Sequence, residues 1–221
     1  MGVDFSMVFN IMMSYLVPVV LWIVWKRKTS ASVLPLILGM AAYMIISLLR
    51  GIARGVVYTD SLMANPVMFY FVSALLSGVF EEVGRFVVFR HTIIDSWTDC
   101  VSYGIGHSAI EIIITHMAWE KDIIDCLIDG FDFASGISFS VAMSALVYVA
   151  ANYADSKKFL AAAIVLHTLI DFMFAGYFLG TFSIGEHTIM HVLFIIGACY
   201  FSYRVYQHFS EGVNSYDKRD Q

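Results

Sequence analysis

The chain of 221 residues has few charged residues: Asp, Glu, Lys and Arg together make up 14% of it, against about 25% in soluble domains. This shortage excludes a soluble globular domain and an intrinsically disordered chain. Three cysteines without a Cys-x-x-Cys pair exclude a disulfide-rich scaffold, and three prolines exclude a collagen-like chain. The net charge of −5 and the scattered basic residues argue against nucleic-acid binding.

Long hydrophobic stretches are what the sequence has instead, and hydrophobic residues make up 59% of it. A membrane-spanning helix needs about 20 mostly apolar residues, and a helix pairs its own backbone polar groups in lipid. The sequence therefore predicts an all-α, multi-pass helical bundle as a single domain over 1–210, and a short polar tail without regular structure at 211–221. The seven predicted spans are Phe5–Trp25, Ala31–Leu49, Val67–Phe89, Thr98–Trp119, Phe133–Tyr153, Phe159–Leu179 and Thr188–Tyr206.

Basic residues predict the orientation of these spans. The run Lys26–Lys28 directly follows the first span, and such a run favours the cytoplasmic side. Of the 13 basic residues, nine lie at predicted inner ends, three (Arg50, Arg54 and Lys121) at predicted outer ends, and Arg85 within a span. The N-terminus is thus predicted outside, and the C-terminal tail in the cytoplasm.

An acidic segment separates the fourth and fifth predicted spans. Its aspartates, at spacings of three and four residues, alternate with apolar residues, and they are Asp122, Asp125, Asp129 and Asp132. This spacing predicts a short amphipathic helix in the outer interface. A substrate gate or a cation site on its acidic face is the alternative.

Three of the predicted spans each contain a pair of ionisable residues four residues apart. Each ionisable residue costs about 2.5–3.5 kcal/mol on insertion scales, so such residues are functional candidates. The spacing places both members of a pair on one helix face: Glu81 and Arg85, His107 and Glu111, His167 and Asp171.

Depth in the membrane connects the three helices. With a rise of about 1.5 Å per residue, Glu81, His107 and His167 each lie roughly 12–13 Å from the predicted cytoplasmic end of their span. Three helices that present Glu, His and His at one level predict one site. A structural ion pair of Arg85 with a neighbouring glutamate is the competing interpretation of the third span.

Three chemistries can use this set of residues. A glutamate in an apolar pocket can act as a general base in hydrolysis. His107, His167 and Glu81 could instead hold zinc with water in the fourth position, although the string His-Glu-x-x-His is absent. A proton relay in a transporter is the third option, which the lack of an inverted repeat disfavours.

The motifs also resemble a known family. They are Glu81-Glu82-x-x-Arg85, Tyr103-x-x-x-His107 followed by Glu111, and His167-x-x-x-Asp171. They are similar to motifs of the YhfC-like family of bacterial intramembrane peptidases. That family is similar to PrsW and to the clan of CAAX proteases and bacteriocin-processing enzymes, which are glutamate-type intramembrane proteases. The resemblance covers predicted spans three to six, and the other spans match only in being hydrophobic.

The resemblance implies a role for each motif. Glu81, or Glu82 in its place, would hold the attacking water together with His107, and His167 with Asp171 would form the oxyanion site. The usual residue of the clan at the position of Asp171 is Asn, and its arginine usually lies one residue further from the glutamates. An ionised Asp171 would repel an oxyanion, so it must be protonated or act by orienting His167.

The sequence thus predicts an intramembrane endopeptidase of a bacterial plasma membrane, which cleaves membrane-anchored or amphipathic polypeptides near the cytoplasmic face. Arg85 would position the glutamate pair, and Glu111 would orient His107. No cofactor is expected for a glutamate-type enzyme. The family has also been described as metal-dependent, so zinc is the alternative cofactor. A non-catalytic binding or immunity scaffold of the same fold is the further alternative.

Overall fold

The computed structural model of the protein describes residues 5–116, 123–153, 156–181 and 183–217. All regular structure in these ranges is helical, which confirms the all-α class. The helices are α1 (Phe5–Thr29), α2 (Leu34–Val57), α3 (Asp60–Met63), α4 (Pro66–His91), α5 (Trp97–His116), α6 (Ile123–Asn152), α7 (Lys158–Phe178) and α8 (Ile184–Asp217).

Four helical segments in the described ranges are long and apolar enough to cross a membrane, namely Leu34–Val57, Pro66–His91, Asp132–Asn152 and Thr188–Phe209. Three of them expose large apolar side chains at helical spacing, whereas Asp132–Asn152 is mostly buried. On α8, for example, Ile189, Leu193 and Ile196 are each at least 60% exposed. Apolar surface of this kind suits contact with lipid. The protein is therefore a multi-pass membrane protein, whereas the count of seven spans and the orientation stay predictions.

The acidic segment does not form a separate helix, which corrects the prediction. Asp125, Asp129 and Asp132 belong to the first turns of α6, which begins at Ile123. The segment lacks proline, so nothing interrupts the helix, and Asp125 lies in its first turn, where an acidic side chain is stabilising. The predicted end of the fourth span at Trp119, with Lys121 and Asp122, lies outside the described residues.

Two other helices run beyond their predicted ends. α2 continues past Leu49 through Arg50 and Arg54 to Val57. The polar tail predicted to lack regular structure is helical as far as Asp217, because α8 continues into it. Extending an existing helix is much easier than starting a new one.

Side-chain caps fix the starts of two helices. Asn65 precedes α4 and accepts a hydrogen bond from the backbone N–H of Met68 at 3.2 Å, and Pro66 occupies the first helical position. At the start of α8, the backbone N–H and the hydroxyl of Ser183 donate to Glu186 Oε2 at 2.9 and 2.7 Å. These two hydrogen bonds lower the pKa of Glu186.

The chain divides into two compact units. The first unit, Met1–Met44 with Ile94–Val141, holds α1, α5 and the first parts of α2 and α6. Its core contains Val101, Ile105, Ile112, Phe133 and Ile137. α2 and α5 approach closely in this unit, since a Cβ at Gly106 would collide with the carbonyl oxygen of Leu36.

The second unit consists of Ile45–Ile93 and Ala142–Gln221. Within it, α4 and α7 pack along each other. A Cβ at Gly78 of α4 would lie only 2.6 Å from Thr168 Oγ1 and 2.9 Å from the carbonyl oxygen of Ile164. A glycine is therefore required here, and the backbones of these two helices come close enough to bring their polar faces together.

Candidate active site

A buried polar cluster lies in the second unit between α4 and α7. The buried face of α4 carries Glu81, Glu82 and Arg85, each no more than 1% exposed. α7 contributes His167, which is buried, and Asp171, which is half-buried. The side-chain spacing of each helix, together with the close contact at Gly78, places the five ionisable groups against one another.

Glu82 is held on both of its oxygens. Arg85 Nη1 donates to Glu82 Oε2 at 2.5 Å, and His167 Nδ1 lies 2.6 Å from Glu82 Oε1. A carboxylate only accepts hydrogen bonds, so the Nδ1–H of His167 is the donor. This hydrogen bond fixes the direction of the imidazole and leaves Nε2 pointing elsewhere.

Glu81 has different partners from its neighbour. It forms an ion pair with Arg50 of α2 through Oε1, while its Oε2 lies 3.8 Å from His167 Nε2. Arg50 Nη1 also donates to Ser77 Oγ at 3.1 Å. The two adjacent glutamates therefore meet opposite nitrogens of the same imidazole ring.

Asp171 completes the surroundings of the imidazole. Its Oδ2 lies 3.9 Å from His167 Nε2, and its side chain is 36% exposed. Both oxygens that face Nε2, from Glu81 and Asp171, are thus beyond the range of a direct hydrogen bond.

A cavity of about 230 Å³ reaches this cluster. Ser77 and Asp171 belong to its wall, together with Arg54, Tyr70 and Ser73. Arg54 Nη2 donates to Ser77 Oγ at 3.3 Å, while its Nε is buried and makes no hydrogen bond within the described residues. The cavity therefore gives a ligand access to the cluster beside a guanidinium group.

Arg50 and Arg54 are the residues that sequence reasoning missed, because both were predicted at the outer end of the second span. The structure instead places both on α2, where each contacts Ser77. The available signal was their spacing of four residues in an otherwise apolar helix, which puts both charges on one face.

His107 belongs to the first unit, on α5. It is 1% exposed, and its ring packs edge-on against Tyr43 with centroids 5.0 Å apart and beside Tyr103 at 5.9 Å. Glu111 lies one turn further along α5 and is half-buried. The predicted roles of His107 in holding water and of Glu111 in orienting it stay predictions.

The described residues contain no group of three or more His, Cys, Asp or Glu side chains arranged to hold a metal ion. Within the polar cluster, arginines already occupy an oxygen of Glu81 and one of Glu82. The remaining oxygens near His167 Nε2 lie 3.8 and 3.9 Å from it, whereas two ligands of tetrahedral zinc lie about 3.4 Å apart. The groups of this cluster alone do not form a zinc site as arranged here, and the third predicted ligand, His107, belongs to the first unit.

Residues 13–120 match a family described as YhfC intramembrane metalloprotease. The first half of the chain is similar to this family. The matched stretch includes Glu81-Glu82-x-x-Arg85 and His107, and it ends before His167 and Asp171. It also includes α2, whose predicted span resembled the family only in being hydrophobic.

A membrane protein of Bacillus subtilis strain 168, the uncharacterized YhfC, is 29% identical over 113 residues. The match covers 46% of this chain and 42% of that protein, so the chain spans less than half of the length of its relative. No solved structure matches the chain. The predicted similarity to PrsW and the CAAX-protease clan stays a prediction.

Proposed function

We propose that this protein is an intramembrane endopeptidase of a bacterial plasma membrane, in which Glu81 activates the attacking water. The observation that carries the proposal is the unequal environment of the two glutamates. Glu82 is engaged on both oxygens by Arg85 and His167 Nδ1, whereas Glu81 directs Oε2 towards His167 Nε2. The match to a family described as intramembrane metalloproteases supports peptide-bond hydrolysis as the reaction.

The water would be held between Glu81 and His167. Their facing atoms are 3.8 Å apart, which is too long for a direct hydrogen bond but lets one water bond to both at about 2.8 Å. Glu81 takes a proton from this water while the water oxygen attacks the peptide carbonyl carbon. That proton then passes to the leaving amine as the carbon–nitrogen bond breaks.

His167 would stabilise the tetrahedral intermediate. Three carboxylates and two arginines meet around its ring, so a protonated imidazole balances the charge of the cluster. Its Nε2–H can then donate to the developing oxyanion, a contribution that is often the largest single one in acyl transfer. Asp171 would act by orienting this nitrogen rather than by contacting the oxyanion.

The substrate would be a membrane-anchored or amphipathic polypeptide that reaches the cluster through the 230 Å³ cavity. Tyr70, Ser73 and Ser77 of the cavity wall lie on the N-terminal side of Glu81 in α4. The cavity therefore approaches Glu81 from the end of α4 that is predicted outside, which differs from the cytoplasmic approach suggested by depth alone.

Membrane peptidomics tests this proposal. Host cells carry the wild-type protein, the Glu81→Gln variant, or the control variant Glu186→Gln, which changes an exposed carboxylate at the start of α8. We expect new peptide termini with the wild type and the control, and none with Glu81→Gln at equal expression. Cleavage by Glu81→Gln would refute the assignment of Glu81 as base. If this variant kept the biological function without cleavage, the protein would be a binding scaffold.

The family description keeps a zinc-dependent protease as the second candidate, with His107, His167 and Glu81 as the predicted ligands. Metal analysis of the purified protein separates the two candidates. About one zinc per chain that is lost on His107→Ala would establish the zinc enzyme. Full cleavage activity after removal of divalent metals would establish the glutamate-type enzyme.

A further inference from the structure

A second and larger cavity, of about 950 Å³, lies in the second unit where α4 and α6 end and α7 begins. Its wall contains three cations: Arg90, Lys157 and Lys158. Phe86 and Leu160 provide apolar surface in the same wall. None of its described wall residues is acidic, and Asp155 lies outside the described residues.

The cavity lies at the membrane surface. Two candidate spans, Pro66–His91 and Asp132–Asn152, both end beside it. Phe86 precedes Arg90 by four residues on α4, which places it about 6 Å deeper than Arg90 at a rise of about 1.5 Å per residue. The cationic groups therefore border water, and the apolar wall extends towards the hydrocarbon region.

Two of the cations are held in place by their neighbours. Arg90 Nη1 donates to the carbonyl oxygen of Ala151 at 2.8 Å, which leaves the other donors of its guanidinium for a ligand. The ammonium of Lys158 lies 5.4 Å from the centre of the Phe159 ring, within range of a cation–π interaction. Lys157 is exposed.

We propose that this cavity binds the phosphate group of an anionic phospholipid. A guanidinium and two ammonium groups are the donors that phosphate oxygens prefer, and basic pockets between spanning helices commonly bind lipid head groups. The apolar wall at the depth of Phe86 receives the upper part of an acyl chain, which a soluble phosphate lacks. The proposal does not depend on the proposed protease activity.

Native mass spectrometry of the intact protein in detergent tests the proposal with phosphatidylglycerol and phosphatidylcholine of the same acyl chains. We expect phosphatidylglycerol to bind at least about 5-fold more tightly. Each lysine near the head group contributes about 5-fold in affinity, so the double variant Lys157→Gln/Lys158→Gln should weaken phosphatidylglycerol binding roughly 25-fold. Binding of phosphatidylcholine should change much less, because its choline cation offsets the charge of its phosphate.

The double variant Lys26→Gln/Lys28→Gln is the matched control, since it removes two exposed lysines from the end of α1. It should bind phosphatidylglycerol as the wild type does. Equal affinity for the two lipids, or an equal loss in both double variants, would overturn the proposal. Displacement of the lipid by an equimolar amount of glycerol phosphate would overturn the lipid as ligand and identify a site for a soluble phosphate.

Discussion

Glu82 Oε1 and His167 Nδ1 lie 2.6 Å apart, and this contact decides which way the imidazole faces. The ring presents Nε2 to Glu81 and Asp171 because Nδ1 is engaged on the opposite side. Two glutamates that are neighbours in the sequence thereby acquire separate roles, one positioning the imidazole and one facing the space beside Nε2.

Replacing Glu81 by Gln should lower the cleavage rate by about 10²–10⁴-fold, the usual contribution of a general base. The amide oxygen can still accept from Arg50, whose side chain is 12% exposed, so the thermal unfolding temperature should fall less than in Glu82→Gln. A purified-protein cleavage assay and thermal unfolding in detergent measure the two effects. A variant that is inactive only because it is unfolded would show no unfolding transition in detergent.

Replacing Glu82 by Gln should damage stability as well as activity. Arg85 is 1% exposed, and removing the partner of a buried charge costs about 3–5 kcal/mol. The double variant Glu82→Gln/Arg85→Gln should recover part of the unfolding temperature without recovering cleavage, because His167 still lacks its acceptor. A double variant as active as the wild type would show that Glu82 does not position the imidazole.

Replacing Gly78 by Ala should disrupt the close packing of α4 against α7 and lower stability. The added Cβ would meet the hydroxyl of Thr168 and the backbone of Ile164, and such overpacking costs about 1–3 kcal/mol. Gly197→Ala on α8 is the matched control, because a Cβ there has no neighbour within 4 Å in the described residues. Unfolding temperatures compare the two variants, and equal values would contradict the tight contact.

Replacing Arg54 by Gln should impair substrate binding more than chemistry. Its guanidinium lines the cavity beside Asp171 and has a buried N–H without an acceptor in the described residues. A lost charge-assisted hydrogen bond to substrate corresponds to about 1.5–3 kcal/mol, or roughly 10-fold to 100-fold in KM, with kcat nearly unchanged. A fall in kcat at constant KM would instead place Arg54 in the chemical step.

Sequence spacing could predict the polar faces of α4 and α7, since the ionisable residues of each helix recur at four-residue intervals. It could not assign partners, because Arg85 can reach either Glu82, three residues before it, or Glu81, four residues before it, on the same helix. Arg50 of α2 takes Glu81 in the structure, and Arg85 pairs with Glu82. Arg50 was missed for a related reason. A basic residue after an apolar stretch usually marks the end of a span. The sequence of α2 does not show that Arg50 pairs with Glu81 of α4.

The Arg50–Glu81 ion pair makes the insertion of α2 into the bilayer depend on α4. α2 leaves the ribosome first, and Glu81 follows Arg50 by 31 residues. Arg50 lies about two thirds of the way along α2, and an unpaired arginine costs up to about 2.5–3.5 kcal/mol at insertion, the value for a helix centre. Pairing with Glu81 offsets this cost once α4 is present, so we expect α2 and α4 to enter lipid together, as a helical hairpin.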